Sequence, residues 1–223
     1  MKFAKSILTS FLDYPGSIAT VAFTVGCNFR CPYCYNQDLV LERVETIGDQ
    51  EALQEIFRRK ITSSIVITGG EPTIHRDLPI FIRHLKKKGY SLKLDTNGSN
   101  PQVIDELLKE ELLDYVALDI KSSPENFQTV SGLDESTAKE IFRRILDTLD
   151  LLNNSSVRFE IRTTFVPGLI NETDLKEIKK IIGNKPWYIQ RFKPHRTLSS
   201  LINYTLEEEK LRRLVDELGA ELR

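Results

Sequence analysis

Short apolar runs rich in β-branched residues recur along this chain, and stretches of helical spacing separate most of them. Residues 18–25 (IATVAFTV), 65–68, 92–95, 115–120, 157–165 and 187–192 read as strands. Leu53, Ile56 and Phe57 keep helical spacing behind a cap at Asp49, and a second helix covers residues 78–88. Asn100-Pro101 supplies an N-cap and a first-turn proline for a third helix, whose inner face is Val103, Ile104, Leu107 and Leu108. A fourth, residues 137–152, carries the stripe Ile141, Ile145, Leu146 and Leu149, and Leu175, Ile178, Ile181 and Ile182 mark a fifth. A Thr205 and Glu208 capping box starts a last helix, about 205–219, on which the chain closes.

Six strands, most separated by a helix and many of them continuously apolar, belong to an α/β fold with a mostly parallel six-stranded sheet covered by helices. This pattern leaves open whether the sheet is doubly wound or curls toward a barrel. In both, sites gather at the C-terminal ends of strands. Gly26-Cys27, Gly69-Gly70-Glu71, Asp95-Thr96-Asn97, Asp119-Ile120-Lys121 and Gln190-Arg191-Phe192 all fall at that edge. Within residues 157–165, Arg158, Glu160, Arg162 and Thr164 alternate with apolar neighbours and Thr163, a period of two that gives the strand one polar face toward a wet cavity.

The 223 residues fit one domain, 1–223, and a composition of 40% hydrophobic and 28% charged residues is that of a globular chain with a sizeable core. A net charge of -1 excludes the broad basic face that nucleic acid demands. Lys86, Lys87 and Lys88 complement a helix C-terminus. No apolar run approaches the ~20 residues that span a bilayer, and no secretory leader is apparent, so the expected location is the cytoplasm, without a membrane partner. The sequons at Asn153, Asn154, Asn171 and Asn203 are then chance matches.

All three cysteines of the chain, Cys27, Cys31 and Cys34, lie in one loop, residues 26–36, as C-x3-C-x2-C. So clustered and odd a set is no disulfide framework and points to metal. A structural zinc site needs four protein ligands, which here would require His75, His84 or His195 to fold back onto the loop. An iron-sulfur cluster held by three thiolates instead leaves one iron open, a catalytic arrangement.

The cysteine spacing, with Tyr33 as the aromatic before Cys34, resembles the hallmark of the radical S-adenosylmethionine (radical SAM) superfamily. Thr68-Gly69-Gly70-Glu71-Pro72 resembles its Gly-Gly-Glu-Pro motif, and Leu94-Asp95-Thr96-Asn97-Gly98 and Leu118-Asp119-Ile120-Lys121 resemble strand-end motifs of the glycyl-radical-enzyme activases. The resemblance implies a partial (β/α)6 TIM-like barrel, and one 4Fe-4S cluster on Cys27, Cys31 and Cys34, whose open iron is chelated by S-adenosylmethionine. It also implies reductive cleavage of that cofactor to methionine and a 5'-deoxyadenosyl radical. Gly69, Gly70 and Glu71 would meet the methionine amino group, with glycine letting the chain approach the ligand. Asp95, Thr96, Asn97 and Asp119 would help hold the ribose and the carboxylate, with Lys121 as the opposing cation. Tyr33, Asn36, Arg162 and Gln190 complete the implied cofactor-binding set, and a monovalent cation near Asp95 and Asp119 is left open. Tyr35 stands where the activases commonly have histidine, and Gln190, Arg191 and Phe192 stand where some place a ribose-binding histidine.

Residues 10–16 resemble the N-terminal segment of activases, with Asp13-Tyr14-Pro15-Gly16 most similar to the anaerobic ribonucleoside-triphosphate reductase activating proteins. The implied substrate is one glycine of that reductase, converted to a glycyl radical. Three cysteines leave none for a second cluster, so the implied reductant is a separate flavodoxin or ferredoxin, and oxygen would destroy both cluster and radical. The competing readings are an activase of pyruvate formate-lyase or another glycyl radical enzyme, a small-molecule enzyme such as 7-carboxy-7-deazaguanine synthase, and a non-catalytic iron-sulfur or zinc module.

Overall fold

The computed structural model describes residues 1–59, 62–192, 197–199 and 208–223. These form one ten-stranded sheet: β1 (Phe3–Ala4), β2 (Leu8–Tyr14), β3 (Ser17–Thr24), β4 (Thr46–Ile47), β5 (Ser64–Gly69), β6 (Ser91–Thr96), β7 (Tyr115–Asp119), β8 (Arg158–Phe165), β9 (Trp187–Arg191) and β10 (Glu221–Leu222). The helices are α1 (Gln37–Val40), α2 (Asp49–Arg58), α3 (Leu78–Lys86), α4 (Pro101–Lys109), α5 (Phe127–Ser131), α6 (Glu135–Asn153), α7 (Glu172–Ile182) and α8 (Glu208–Glu217).

The six expected strands are β3 and β5 to β9, all parallel and neighbouring one another in chain order. That order settles the choice the sequence leaves open. Right-handed crossovers that always step in one direction place every covering helix on the same face, so the sheet is singly wound rather than doubly wound, and it does not close. Ile65, Ile67, Leu92, Leu94, Val116, Leu118, Ile161 and Ile189 pack with Ile56, Ile82, Leu85, Ile104, Leu107, Ile145 and Ile178 in one core. The other face is concave. Tyr14, Ala19, Val21, Val66 and Tyr115, with Phe23 beside them, fill it at the base. Strands buried on both faces carry no polar alternation, which is why they read as continuous apolar runs.

Strand β8 is the exception. Glu160 is buried on its polar side, accepting from the Tyr115 hydroxyl at 2.9 Å and from Arg223 at 3.4 Å. Arg162 and Thr164 follow on the same side and line the cavity described below.

Several details differ from the sequence reading. Residues 10–16 form a hairpin in which Tyr14 pairs with Ser17 around Pro15-Gly16, and the exposed Leu8, Phe11 and Leu12 give β2 no readable period. The chain does not close on a helix, because β10 follows α8 and adds parallel to β9. The proposed cap Thr205 lies outside the described residues. Asp49 is not the cap of α2; Gly48 is, and Asp49 stands in the first turn, where a carboxylate still favours the helix dipole. Asn100 occupies the N-cap of α4 without capping, because its amide donates to the Thr73 hydroxyl at 3.0 Å. Among the described residues no helix is long and apolar enough to cross a membrane.

Candidate functional site

The loop after β3 carries the three cysteines across the C-terminal edge of the sheet, and it is docked from two sides. Gly26 N donates to Leu39 O at 2.9 Å, and Arg30 N donates to Ser131 O at 2.8 Å. Phe29 meets Phe127 edge-on at 5.6 Å, tying the loop to α5. Asn28 links it to the end of β6, donating to Ser99 Oγ at 2.8 Å and accepting from the Asn97 amide at 2.9 Å. Asn28 was not singled out from the sequence.

The β5 loop comes equally close. Gly70 N donates to Thr24 O and Glu71 N to Gly26 O, both at 2.9 Å. A Cβ on Gly70 would stand 1.8 Å from Gly26 O, and one on Gly69, whose φ is +115°, 2.5 Å from Thr24 O. The glycines are therefore required first by the neighbouring backbone, and the approach to a ligand that the motif implied comes second.

Between these loops and the strand ends lies a cavity of about 290 Å³. Cys27, Cys31, Tyr33, Cys34, Asn36, Gly69, Gly70, Glu71, Asp95, Thr96, Asn97, Asp119, Lys121, Arg162 and Gln190 all line it, so the structure gathers every predicted site residue on one surface. Asp13, Phe23, Phe29, Val40 and Thr164 line it as well and were not assigned to the site from sequence. Asp13 arrives from the β2 hairpin, a long-range placement that no local pattern records. Of the histidines, His84 is exposed and bonds Ile80 O within its own helix, His75 is absent from the cavity lining, and His195 lies outside the described residues.

Two of these side chains are also engaged within the protein. Glu71 is 1% exposed, and its Oε1 accepts from Thr73 N at 3.0 Å, Thr73 Oγ1 at 2.6 Å and Thr96 Oγ1 at 2.7 Å. Its Oε2 accepts from Asn97 N at 2.6 Å. The carboxylate thus clamps the end of β5 to the end of β6. Burial nevertheless pushes its pKa above the usual range, against those hydrogen bonds. Arg162 donates to Asp119 Oδ1 at 2.8 Å and to Asp95 Oδ2 at 3.1 Å, so its guanidinium joins two carboxylates rather than standing free.

The electrostatics suit an anion held beside a metal. Burial, then Glu71, pushes the Cys27 thiol up to about 12, and burial pushes Cys31 to about 11 and also raises Cys34. Thiols so buried stay protonated near neutral pH unless a cation stands among them. Burial alone would raise the Asp119 carboxyl, but Arg162 and Lys121 hold it below its ordinary value. Burial would lower the Lys121 ammonium, but the Asp119 carboxylate beside it holds it well above its ordinary value. The Tyr33 hydroxyl is buried and has no hydrogen-bond partner. Three thiols, an orphaned hydroxyl and a cation on one cavity fit a cluster with an anionic chelator.

The profile of the Radical SAM superfamily matches residues 21–182, from β3 to the end of α7. The chain belongs to the radical SAM superfamily. It is 40% identical over 187 residues to a Methanocaldococcus jannaschii protein named as a glycyl-radical enzyme activating enzyme, covering 83% of this chain and 77% of that one. The pyruvate formate-lyase-activating enzyme of Streptococcus mutans is 29% identical over 226 residues, 89% of this chain and 81% of that one. QueE from Escherichia coli superposes with a TM-score of 0.59 at 15% identity, covering 99% of this chain and 92% of that one, a likeness of fold. A radical SAM protein of this fold uses a 4Fe-4S cluster and S-adenosylmethionine, and the curled sheet puts the groups suited to both on its concave edge.

Proposed function

We propose that this protein is a single-domain activating enzyme that installs a glycyl radical on the anaerobic ribonucleoside-triphosphate reductase, in the cytoplasm, with electrons from a flavodoxin or ferredoxin. The observation that carries the reading is the set of three cysteines without a fourth, on the cavity that also holds Lys121 and the Asp95 and Asp119 carboxylates. Likeness to the two activating enzymes supports the class, and the Asp13-Tyr14-Pro15-Gly16 hairpin supports the choice of reductase.

When bound, the cluster and S-adenosylmethionine supply a one-electron cleavage whose 5'-deoxyadenosyl radical takes a hydrogen atom from a glycine Cα. The chain's own residues do the holding. Cys27, Cys31 and Cys34 would hold the cluster, and three thiolates would leave it a position for the cofactor. Lys121 would supply the cation opposite the cofactor's carboxylate, and the Gly69-Gly70 backbone would receive its amino group. Thr96, Asn97, Gln190, Tyr33 and Asn36 would contact the remainder of the cofactor, and the paired Asp95 and Arg162 would form the polar wall beneath it. Glu71 acts through Thr96 and Asn97. Phe23, Phe29 and Val40 give the cavity an apolar wall.

The test of the partner is electron paramagnetic resonance of the reductase after anaerobic incubation with the cluster-loaded protein, S-adenosylmethionine and reductant. A glycyl radical signal on the reductase, lost when its glycine is replaced by alanine, is the expected result. Its absence, with a signal on pyruvate formate-lyase in the same assay, would reassign the partner.

A further inference from the structure

Lys93 lies on β6 two residues before Asp95, on the concave side, and its side chain is 2% exposed. It is not among the residues that line the cavity. Its Nζ stands 2.5 Å from Asp95 Oδ1, while Arg162 holds Asp95 Oδ2 at 3.1 Å and Asp119 Oδ1 at 2.8 Å, and Lys121 reaches Asp119 Oδ2 at 3.3 Å. Cation and anion alternate across three strand ends: Lys93, Asp95, Arg162, Asp119, Lys121. Three positive charges face two negative ones, and the excess lies toward the cysteines.

Burying an ammonium is costly unless a carboxylate compensates it, and β6 has apolar residues at Leu92 and Leu94, where only packing is asked of it. Lys93 is therefore there for its charge. A free potassium or sodium ion between Asp95 and Asp119 would need carboxylate oxygens not already neutralised, because a neighbouring ammonium or guanidinium repels it. Here every oxygen of both carboxylates already has a cationic partner, and an added ion would meet an ammonium and a guanidinium.

We propose that the Lys93 ammonium is a tethered cation serving in place of a free monovalent ion, so that this protein binds S-adenosylmethionine without potassium or sodium. The inference rests on the cavity being the S-adenosylmethionine site. Lys93 is a positioning residue: it neutralises Asp95 from behind, leaving Arg162 to bridge Asp95 and Asp119 and Lys121, paired with Asp119, on the cavity wall where the cofactor's carboxylate would lie.

The experiment compares wild type, Lys93→Met and Lys93→Arg, all cluster-loaded and anaerobic, in potassium, sodium or N-methylglucamine chloride at one ionic strength. Two quantities are read: the S-adenosylmethionine dissociation constant by equilibrium dialysis, and the thermal midpoint of the same protein without S-adenosylmethionine. Wild type should bind equally in all three salts. Lys93→Met should bind about tenfold more weakly in N-methylglucamine and recover in potassium or sodium, by mass action at the vacated site. Its midpoint should rise with the small cations, and Lys93→Arg should behave as wild type. A wild type that needs potassium or sodium overturns the proposal, as does a Lys93→Met protein blind to the cation in both measurements. If Lys93→Met does not fold, the wild-type salt series and the Arg variant decide. Absence of S-adenosylmethionine binding in every salt contradicts the reading of the cavity, and the thermal midpoints still decide Lys93.

Discussion

Glu71 accepts four hydrogen bonds and is almost fully buried. Replacing it with Gln sets an amide against the donors that now meet two carboxylate oxygens, and one of them loses its acceptor. Glu71→Gln should destabilise the chain by about 1–3 kcal/mol, read as a lower urea midpoint; a cost within about 0.5 kcal/mol, typical of an exposed position, would contradict the clamp. His75 supplies a pH test. Its Nε2 is buried without a partner, and burial lowers its pKa. A histidine held neutral in the fold favours the folded state above its unfolded pKa of about 6.5, and loses that contribution as the pH falls from there toward the folded value, because the unfolded chain binds more protons. The urea midpoint of wild type should fall between pH 7.5 and 5.5 more steeply than that of His75→Gln; equal slopes would refute this. Legibility at this scale followed covalent neighbourhood. Cys27, Cys31 and Cys34 announce themselves by spacing within one loop, whereas Asp13, Asn28 and Lys93 acquire their roles only from partners that distant segments bring.

Among the elements, α5 and its terminal Gly132 hold the cysteine loop. Gly132 has φ +69°, and a Cβ there would stand 2.4 Å from Arg30 O, in the middle of that loop. Gly132→Ala should therefore cost about 1–3 kcal/mol and lower the iron retained per chain after anaerobic reconstitution. Gly89→Ala is the control, because Gly89 has a similarly positive φ but open space, so it bears the backbone strain without displacing the cysteines. Equal iron contents in the two variants would show that α5 does not position the loop. Most of the six parallel strands were readable because burial on both faces leaves an unbroken apolar run, and β8 was readable by its period of two. Strands β1, β4 and β10 are two residues long and have no period to read. The capping box of α7, in which Asn171 and Asp174 satisfy each other's backbone, has the local Asn-x-x-Asp spacing of a helix start. Asp174 also accepts from Ser123 at 2.5 Å and Asn126 at 3.1 Å, contacts that depend on the crossover and leave no local trace.

At the scale of the molecule, one fact organises the rest: the sheet curls in chain order without closing, so the crossover helices cover its outside and the ends of the parallel strands deliver polar groups to one concave edge. Alternating strands and helices gave the class of fold but could not fix the curl, which depends on the hand of each crossover. The central claim is that the three thiols and the cavity beside them make a radical-generating centre. The most direct test is to reconstitute the protein anaerobically with iron and sulfide, reduce it, add S-adenosylmethionine and assay 5'-deoxyadenosine, beside Cys31→Ala. Formation of 5'-deoxyadenosine by wild type and its loss in Cys31→Ala is the predicted result; a stable cluster that leaves S-adenosylmethionine intact under strong reduction would contradict the account.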